Sequence, residues 1–292
     1  MDIEKIKILK EAINLGSLSS VAEKYKYTAS GISKMVNSLE NQVGFPLLIR
    51  NKNGVIPTDE CTKLMPSINE IIYWEDQFNQ ISAEIKGVNI GAISVGTAYG
   101  QYYKWLSKLI YEFNRVYPYI EVNIVEGTSS KLSKEVEDRK ADFCIISKRE
   151  GNHDWIYLFH DELLAMIPKN HTLCNVDKYP ISSFQNDAFI EIYPGLETDN
   201  SRVFQHNNIM ANKKFSTLDS YAACYLVESN LGVSLVNGLI SKTLTADVLY
   251  KSIDPKQMIE IGIAYPKKSI ISPAALKFLE FSKKYIYEIK NL

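Results

Sequence analysis

The sequence predicts an α/β chain that opens with an α-rich winged helix-turn-helix, and three observations carry this reading. Helical periodicity fills residues 3–43 with only very short breaks. An Asn-Gly hairpin signal follows at Asn53-Gly54, inside a basic segment. Beyond Gly87 strands alternate with helices, which predicts a parallel sheet with covered faces.

Taken in order, residues 3–15 place Ile6, Leu9, Ala12 and Ile13 at helical spacing, and Gly16 offers a stop. Ser19 or Ser20 caps a second short helix, with Glu23 completing a capping box from Ser20 and Val21, Ala22 and Tyr25 facing inward. Lys26-Tyr27 is too short for a wandering loop, so the next helix turns sharply from its N-cap, Thr28. Ile32, Met35, Val36, Leu39 and Val43 then form one apolar stripe. The opposite face is Ala29, Ser30, Ser33, Lys34, Asn37 and Asn41, short or hydrogen-bonding residues with one charge among them. A helix meant only for solvent carries more Glu and Lys. This face suits close approach to base edges and phosphates. Leu47–Arg50, the turn Asn51-Lys52-Asn53-Gly54 and Val55-Ile56 complete the pattern as a basic hairpin. On pattern alone, the alternative is a purely structural three-helix bundle.

Thr58 opens a long helix with Asp59 and Glu60 in its first turn, and Pro66 is expected to bend it. Positions 64, 68, 71, 75, 78, 82 and 85 read Leu, Ile, Ile, Glu, Phe, Ser and Ile, a mostly apolar seam long enough to pair two chains. Packing on its own domain is the alternative. Next come a strand at 90–96, a helix at 101–117 ended by Pro118, and a strand alternating through Ile120, Val122 and Ile124. A helix near 129–139 leads to a buried strand at 141–146. Residues 187–266 repeat the logic: a strand at 188–193, a helix from Asp219 to Leu231, a strand at 233–236 and two more to Tyr265. Residues 273–290 form a final helix.

Bulk numbers narrow the function. A chain of 292 residues predicts two or three domains, and 46% hydrophobic with 23% charged residues is the composition of a soluble globular protein. Net charge is −1, yet residues 1–58 hold eight Lys/Arg against five Asp/Glu, a basic module on an acidic body. The first residues carry three acids and no apolar core, so no secretory signal is expected. No apolar run reaches a membrane span. Cys61, Cys144, Cys174 and Cys224 are 83, 30 and 50 residues apart, which suits reduced thiols in the cytoplasm. There is no GxGxxG, P-loop or GxSxG, and His153, His160, His171 and His206 lack partners at ligand spacing. Glu121, Glu126, Asp138 and Asp142 are explained by strand alternation and helix surfaces. No catalytic site, metal or cofactor is expected, and the chain does not read as an enzyme.

"GSLSSVAEKYKYTASGISKMVNSLENQVGFPLLIR" resembles the signature of the LysR-type transcriptional regulators at Gly16-Ser17, Ala22-Glu23, Thr28, Ser33-Lys34, Leu39-Glu40, Gly44 and Leu47–Arg50. Pro57-Thr58 stands where that family's linker helix begins, and "EFNRVYPYIEVNIVEGTSSKL", "RKADFCII" and "VESNLGVSLV" are similar to its effector-domain landmarks. The resemblance implies a DNA-binding domain at 1–58, a dimerising linker helix at 59–86 and an effector-binding domain at 87–292. That last domain is expected to be a periplasmic-binding-protein-like pair of α/β subdomains: I, residues 87–161 and 267–292; II, residues 162–266. The chain departs at Ala29-Ser30-Gly31, where the family often has Gln-Pro-Ala, so an unusual operator preference is expected.

The expected partners are double-stranded DNA with a roughly palindromic operator, a small anionic effector, and a second copy of the chain. The family commonly also assembles into homotetramers. On DNA the expected contacts are Ser30, Ser33, Lys34 and Asn37 in the major groove, Thr28 and Arg50 on phosphates, and Lys52 in the wing. The dimer seam is expected at Leu64, Ile68, Ile71 and Phe78. Ligands of doubly wound sheets collect outside the carboxyl ends of strands, where helix N-termini point free N–H groups. That places the effector against Thr97, Ala98, Thr128, Ser129 and Ser147, facing Tyr193 and Pro194. The alternative is a stand-alone solute-binding protein, which the N-terminal module argues against.

Overall fold

The computed structural model describes residues 2–52 and 54–289; Met1, Asn53 and residues 290–292 lie outside it, and with them half of the Asn-Gly signal and the last residue of the expected final helix. The chain divides into two compact units, Met1–Val88 and Asn89–Leu292.

The first unit opens with α1 (Ile3–Leu15), ended by Gly16 in the left-handed region. Helix α2 (Leu18–Tyr25) is capped by Ser17, whose side chain accepts from the Ser20 N–H, so the cap falls two or three residues earlier than expected. Helix α3 (Ala29–Val43) starts on Thr28 as expected, its Oγ1 accepting from Gly31 N at 3.1 Å. Strands β1 (Leu48–Asn51) and β2 (Gly54–Pro57) pair antiparallel, Leu48 opposite Pro57. Apolar faces of all five elements meet in one core, which includes Ile8, Leu9, Val21, Ile32, Val36, Leu47 and Val55. Each such side chain contributes roughly 1.5–3 kcal/mol on burial.

Two contacts fix the wing against the helices. Glu40 Oε1, near the end of α3, accepts from Leu47 N at 2.7 Å and Leu48 N at 3.1 Å. Gly54 has φ 127°, and a Cβ there would lie 2.1 Å from Gly16 O, the atom that accepts from Val55 N at 2.9 Å. Only glycine permits both that backbone angle and that approach. Helix α4 (Asp59–Ile85) is capped by Thr58 and runs through Pro66 without a break.

The second unit begins with β3 (Gly91–Thr97), a 3₁₀ turn and α5 (Tyr103–Val116), β4 (Ile120–Glu126), α6 (Ser129–Glu137) and β5 (Phe143–Ser147). Strand β6 (Asp154–Pro168) follows, then β7 (Lys178–Pro180), β8 (Phe189–Ile192), α7 (Asp199–His206) and β9 (Lys213–Thr217). Next are α8 (Ser220–Glu228), β10 (Ser234–Asn237), α9 (Gly238–Ser241), β11 (Val248–Asp254) and β12 (Met258–Tyr265). Helices α10 (Pro273–Ser282) and α11 (Ile286–Ile289) end the described chain.

Strand β3 pairs parallel with both β4 and β5, as the alternating pattern predicts, while β12 runs antiparallel to β5. The 15-residue β6 serves both halves of this unit. Its first part pairs with β12, from Asp154 opposite Tyr265 to Glu162 opposite Met258. Its last part pairs with β10 and β11. The first half packs Leu106, Leu109 and Phe113 of α5 on Phe143, Ile145, Ile261, Ile263 and Phe278. The second packs Leu163, Ala165, Ile167, Phe184, Phe189 and Phe204 together. Strand β12 thus belongs to the first half by pairing and by packing. The return from the second half is the 255–257 turn between β11 and β12, not the expected 265–267. The alternating pattern of 258–265 fits either sheet, and only the partner strand decides.

Candidate functional site

On α3, Ser30, Lys34 and Asn37 are exposed and Ser33 half-buried, so the expected base-reading residues share one accessible face. Thr28 and Lys52 are exposed as well. Arg50, expected on a phosphate, lies across this face: Nη1 donates to Ser33 Oγ at 2.8 Å and Nη2 to Asn37 Oδ1 at 2.5 Å. Glu40 Oε2 stands 3.9 Å from the same guanidinium. Strand β1 therefore supplies a cation that orients two of the candidate base readers. Planar donors in a fork suit such bridging.

Helix α4 divides the expected seam. Ile68 is buried in the core of the first unit, and Leu64 and Ile71 pack against that core. Glu75 turns to α1, where Lys7 Nζ donates to its Oε2 at 2.5 Å and to Asp76 Oδ1 at 3.1 Å. Ile68 is thus committed within its own domain. Phe78 is exposed, and so are Trp74, Ile81 and Ile85. Residues 74, 78, 81 and 85 step by 4, 3 and 4, a heptad stripe that keeps Phe78 and Ile85 of the expected seam and has Trp74 and Ile81 in place of Glu75 and Ser82.

In the second unit, a cavity of about 140 Å³ opens between the two halves. Ala98, Tyr99, Thr128 and Ser129 line it from the first half; Tyr193, Thr198, Asp199 and Asn200 are among those facing them. Of the expected effector residues, Ala98, Thr128, Ser129 and Tyr193 line the cavity; Thr97 and Pro194 do not. Thr97 is buried, its hydroxyl donating to Ile145 O at 3.1 Å and accepting from Tyr99 N at 3.0 Å, so it shapes the loop behind the cavity wall. Pro194 is exposed outside the wall. Thr128 Oγ1 caps α6 through Lys131 N at 3.3 Å, and Tyr193 holds φ 59°.

Ser147 sits beside the cavity in a cluster that sequence reasoning missed. Its Oγ donates to Asp199 Oδ1 at 2.5 Å. Arg149 Nη2 reaches the same oxygen at 3.0 Å, and Tyr99 OH donates to Asp199 Oδ2 at 2.8 Å. The rest of the Arg149 guanidinium is spent on Ser130 Oγ at 2.7 Å, Ser147 Oγ at 2.7 Å and Lys148 O at 3.0 Å. Arg149 and Asp199 side chains are 6% and 10% exposed. Burial and the Asp199 charge push the Tyr99 phenol well above its ordinary range, so it stays a proton donor. The signal was an arginine two residues beyond a buried strand and an aspartate opening a helix that sequence periodicity did not reveal.

The Cys144 thiol is pushed up by burial, as suits an inert core thiol. All four cysteines are free. Among the described residues no group of His, Cys, Asp and Glu could hold a metal ion, and no helix is long and apolar enough to cross a membrane.

The family model described as LysR substrate binding domain matches residues 86–286, and the one described as bacterial regulatory helix-turn-helix protein, lysR family, matches residues 3–62. The chain is 22% identical over 286 residues to the HTH-type transcriptional regulator YvbU of Bacillus subtilis (strain 168), covering 97% of this chain and 98% of that protein. Its fold is similar to full-length OxyR from Pseudomonas aeruginosa, with TM-score 0.72, 16% identity, and 98% and 94% of the two chains covered. It is also similar to full-length CbnR in complex with its target DNA, with TM-score 0.62, 15% identity, and 98% and 100% covered.

Proposed function

Because the chain belongs to the LysR family of bacterial transcriptional regulators, we propose that it binds an operator through α3 and the β1–β2 wing and that a small molecule in the cleft of its second unit controls that binding. The observation that carries the reading is the accessible face of Ser30, Ser33, Lys34 and Asn37 with Arg50 laid across it. Side chains of this kind hydrogen-bond base edges, while Lys52 and the Thr28 end of α3 suit phosphates. Arg50 has two roles in this account: it neutralises a phosphate and holds Ser33 and Asn37 in the rotamers that read the groove.

The exposed stripe Trp74, Phe78, Ile81 and Ile85 supports a two-fold dimer, and a two-fold dimer reads a roughly palindromic site. Oxygen and amide donors around the cavity support a small polar ligand, and the site of action is the cytoplasm, where the DNA is. No catalytic step is part of the proposal. The test is selection of bound duplexes from a random pool by the full-length protein. Enrichment of a sequence with two-fold symmetry is expected; recovery of duplexes no different from the input would overturn it.

A further inference from the structure

The seat beside the cavity already holds a carboxylate, and it belongs to the chain. Asp199 comes from the second half of the unit, at the first turn of α7, while Tyr99, Ser147 and Arg149 all come from the first half. Three donors on one carboxylate, one of them a buried guanidinium, make a complete anion site. The site is also neutral as it stands, with one buried cation and one buried anion. Among the described residues, Asp199 is the only charged one that lines the cavity of about 140 Å³. A second carboxylate in this cavity would face Asp199 with no cation on the cavity wall to balance it. Like charges at short range in a half-dry site repel strongly, and one of the two would have to take up a proton or leave.

We propose that Asp199 is a built-in carboxylate ligand that closes the cleft from within, and that the cavity left beside it takes an uncharged polar molecule about the size of a single ring. The inference rests on the cleft being the effector site and narrows the class of effector. The size follows from the volume, since a cavity of roughly 150 Å³ accommodates benzene. The polarity follows from the hydroxyls of Tyr99, Thr128 and Ser129 on its wall. An anionic effector, expected from the helix N-termini, finds its seat taken.

The test uses the full-length protein, thermal unfolding, and sodium formate against sodium chloride at equal ionic strength. Wild type is expected to respond equally to both salts. Asp199→Ala strands the Arg149 charge, and its unfolding midpoint is expected to fall by about 6–20 °C. Formate, but not chloride, restores at least half of that loss in a saturable manner, and the double variant with Arg149→Gln shows no such rescue. If Asp199→Ala does not fold, Asp199→Asn replaces it: it keeps the shape, leaves Arg149 uncompensated, and is stabilised by benzoate more than wild type is. Wild type gaining as much from formate or benzoate as the variants, or variants gaining nothing, would overturn the proposal. Operator affinity measured on the same samples separates the two ideas. Rescue of the fold with operator affinity identical throughout leaves the built-in carboxylate standing and removes effector control. No rescue, with operator affinity that still answers to cleft ligands, does the reverse.

Discussion

Phe78→Asp tests the proposed dimer seam. Phe78 is 71% exposed in the single chain, so roughly two thirds of its burial energy is available to a partner. Full burial of such a side chain contributes about 1.5–3 kcal/mol, which leaves about 1–2 kcal/mol per chain. Two-fold symmetry uses the residue twice, so the variant loses about 2–4 kcal/mol per dimer. At ~1.4 kcal/mol per decade the dissociation constant rises about 30–700-fold. Ile68→Ala is the contrast, because Ile68 is 6% exposed and sits in the core of its own domain. It costs about 2–5 kcal/mol of folding stability through lost packing. Sedimentation equilibrium gives the dissociation constant and thermal unfolding the stability. A dimer of unchanged affinity in Phe78→Asp refutes the seam. So does a weakened dimer in Ile68→Ala with its fold intact.

Glu40→Ala removes the acceptor for the Leu47 and Leu48 amides, so both should exchange hydrogen at least tenfold faster, with a loss of roughly 2–4 kcal/mol in the first unit; unchanged protection at both amides removes Glu40 as the clamp of the wing. Asp142, whose carboxylate accepts from Ser94 N at 2.8 Å, is pushed up to about 6 by burial. A carboxyl raised in the folded state penalises folding above that pH, and the penalty is relieved as pH falls towards the unfolded value near 4, at most ~1.4 kcal/mol per pH unit. Asp142→Asn should therefore be more stable than wild type at pH 7, and the gap should close by pH 4. A gap that does not change with pH contradicts this assignment.

The N-terminal unit was legible because its signals are local. Thr28 caps α3, Gly16 ends α1, and the apolar stripe Ile32, Val36 and Leu39 buries as its spacing says. Strands β3, β4 and β5 were legible for the same reason, as were Ala98, Thr128, Ser129 and Tyr193 on the cavity wall. Long-range choices were not. The apolar period of α4 is the same whether a residue meets α1 or a second chain, so Ile68 and Phe78 look equivalent in sequence. Strand β6 carries Asp161 and Glu162 at the point where it passes from one half to the other, which hides a single strand. Asp161 is held there by Leu239 N at 3.3 Å and Glu162 N at 2.9 Å. The Arg149–Asp199 pair joins residues 50 apart in sequence, and no periodicity announces it.

Helix α3 is proposed to read DNA with Arg50 holding its readers in place. Fluorescence anisotropy on the selected duplex and on a random duplex, in the same salt, tests it with Asn37→Ala and Arg50→Ala. Asn37→Ala should lose ~1–3 kcal/mol on the selected duplex and almost nothing on the random one. Arg50→Ala should weaken both, the selected duplex more, and lower the salt slope of binding by about one. Affinities that match wild type on both duplexes in both variants would contradict the account.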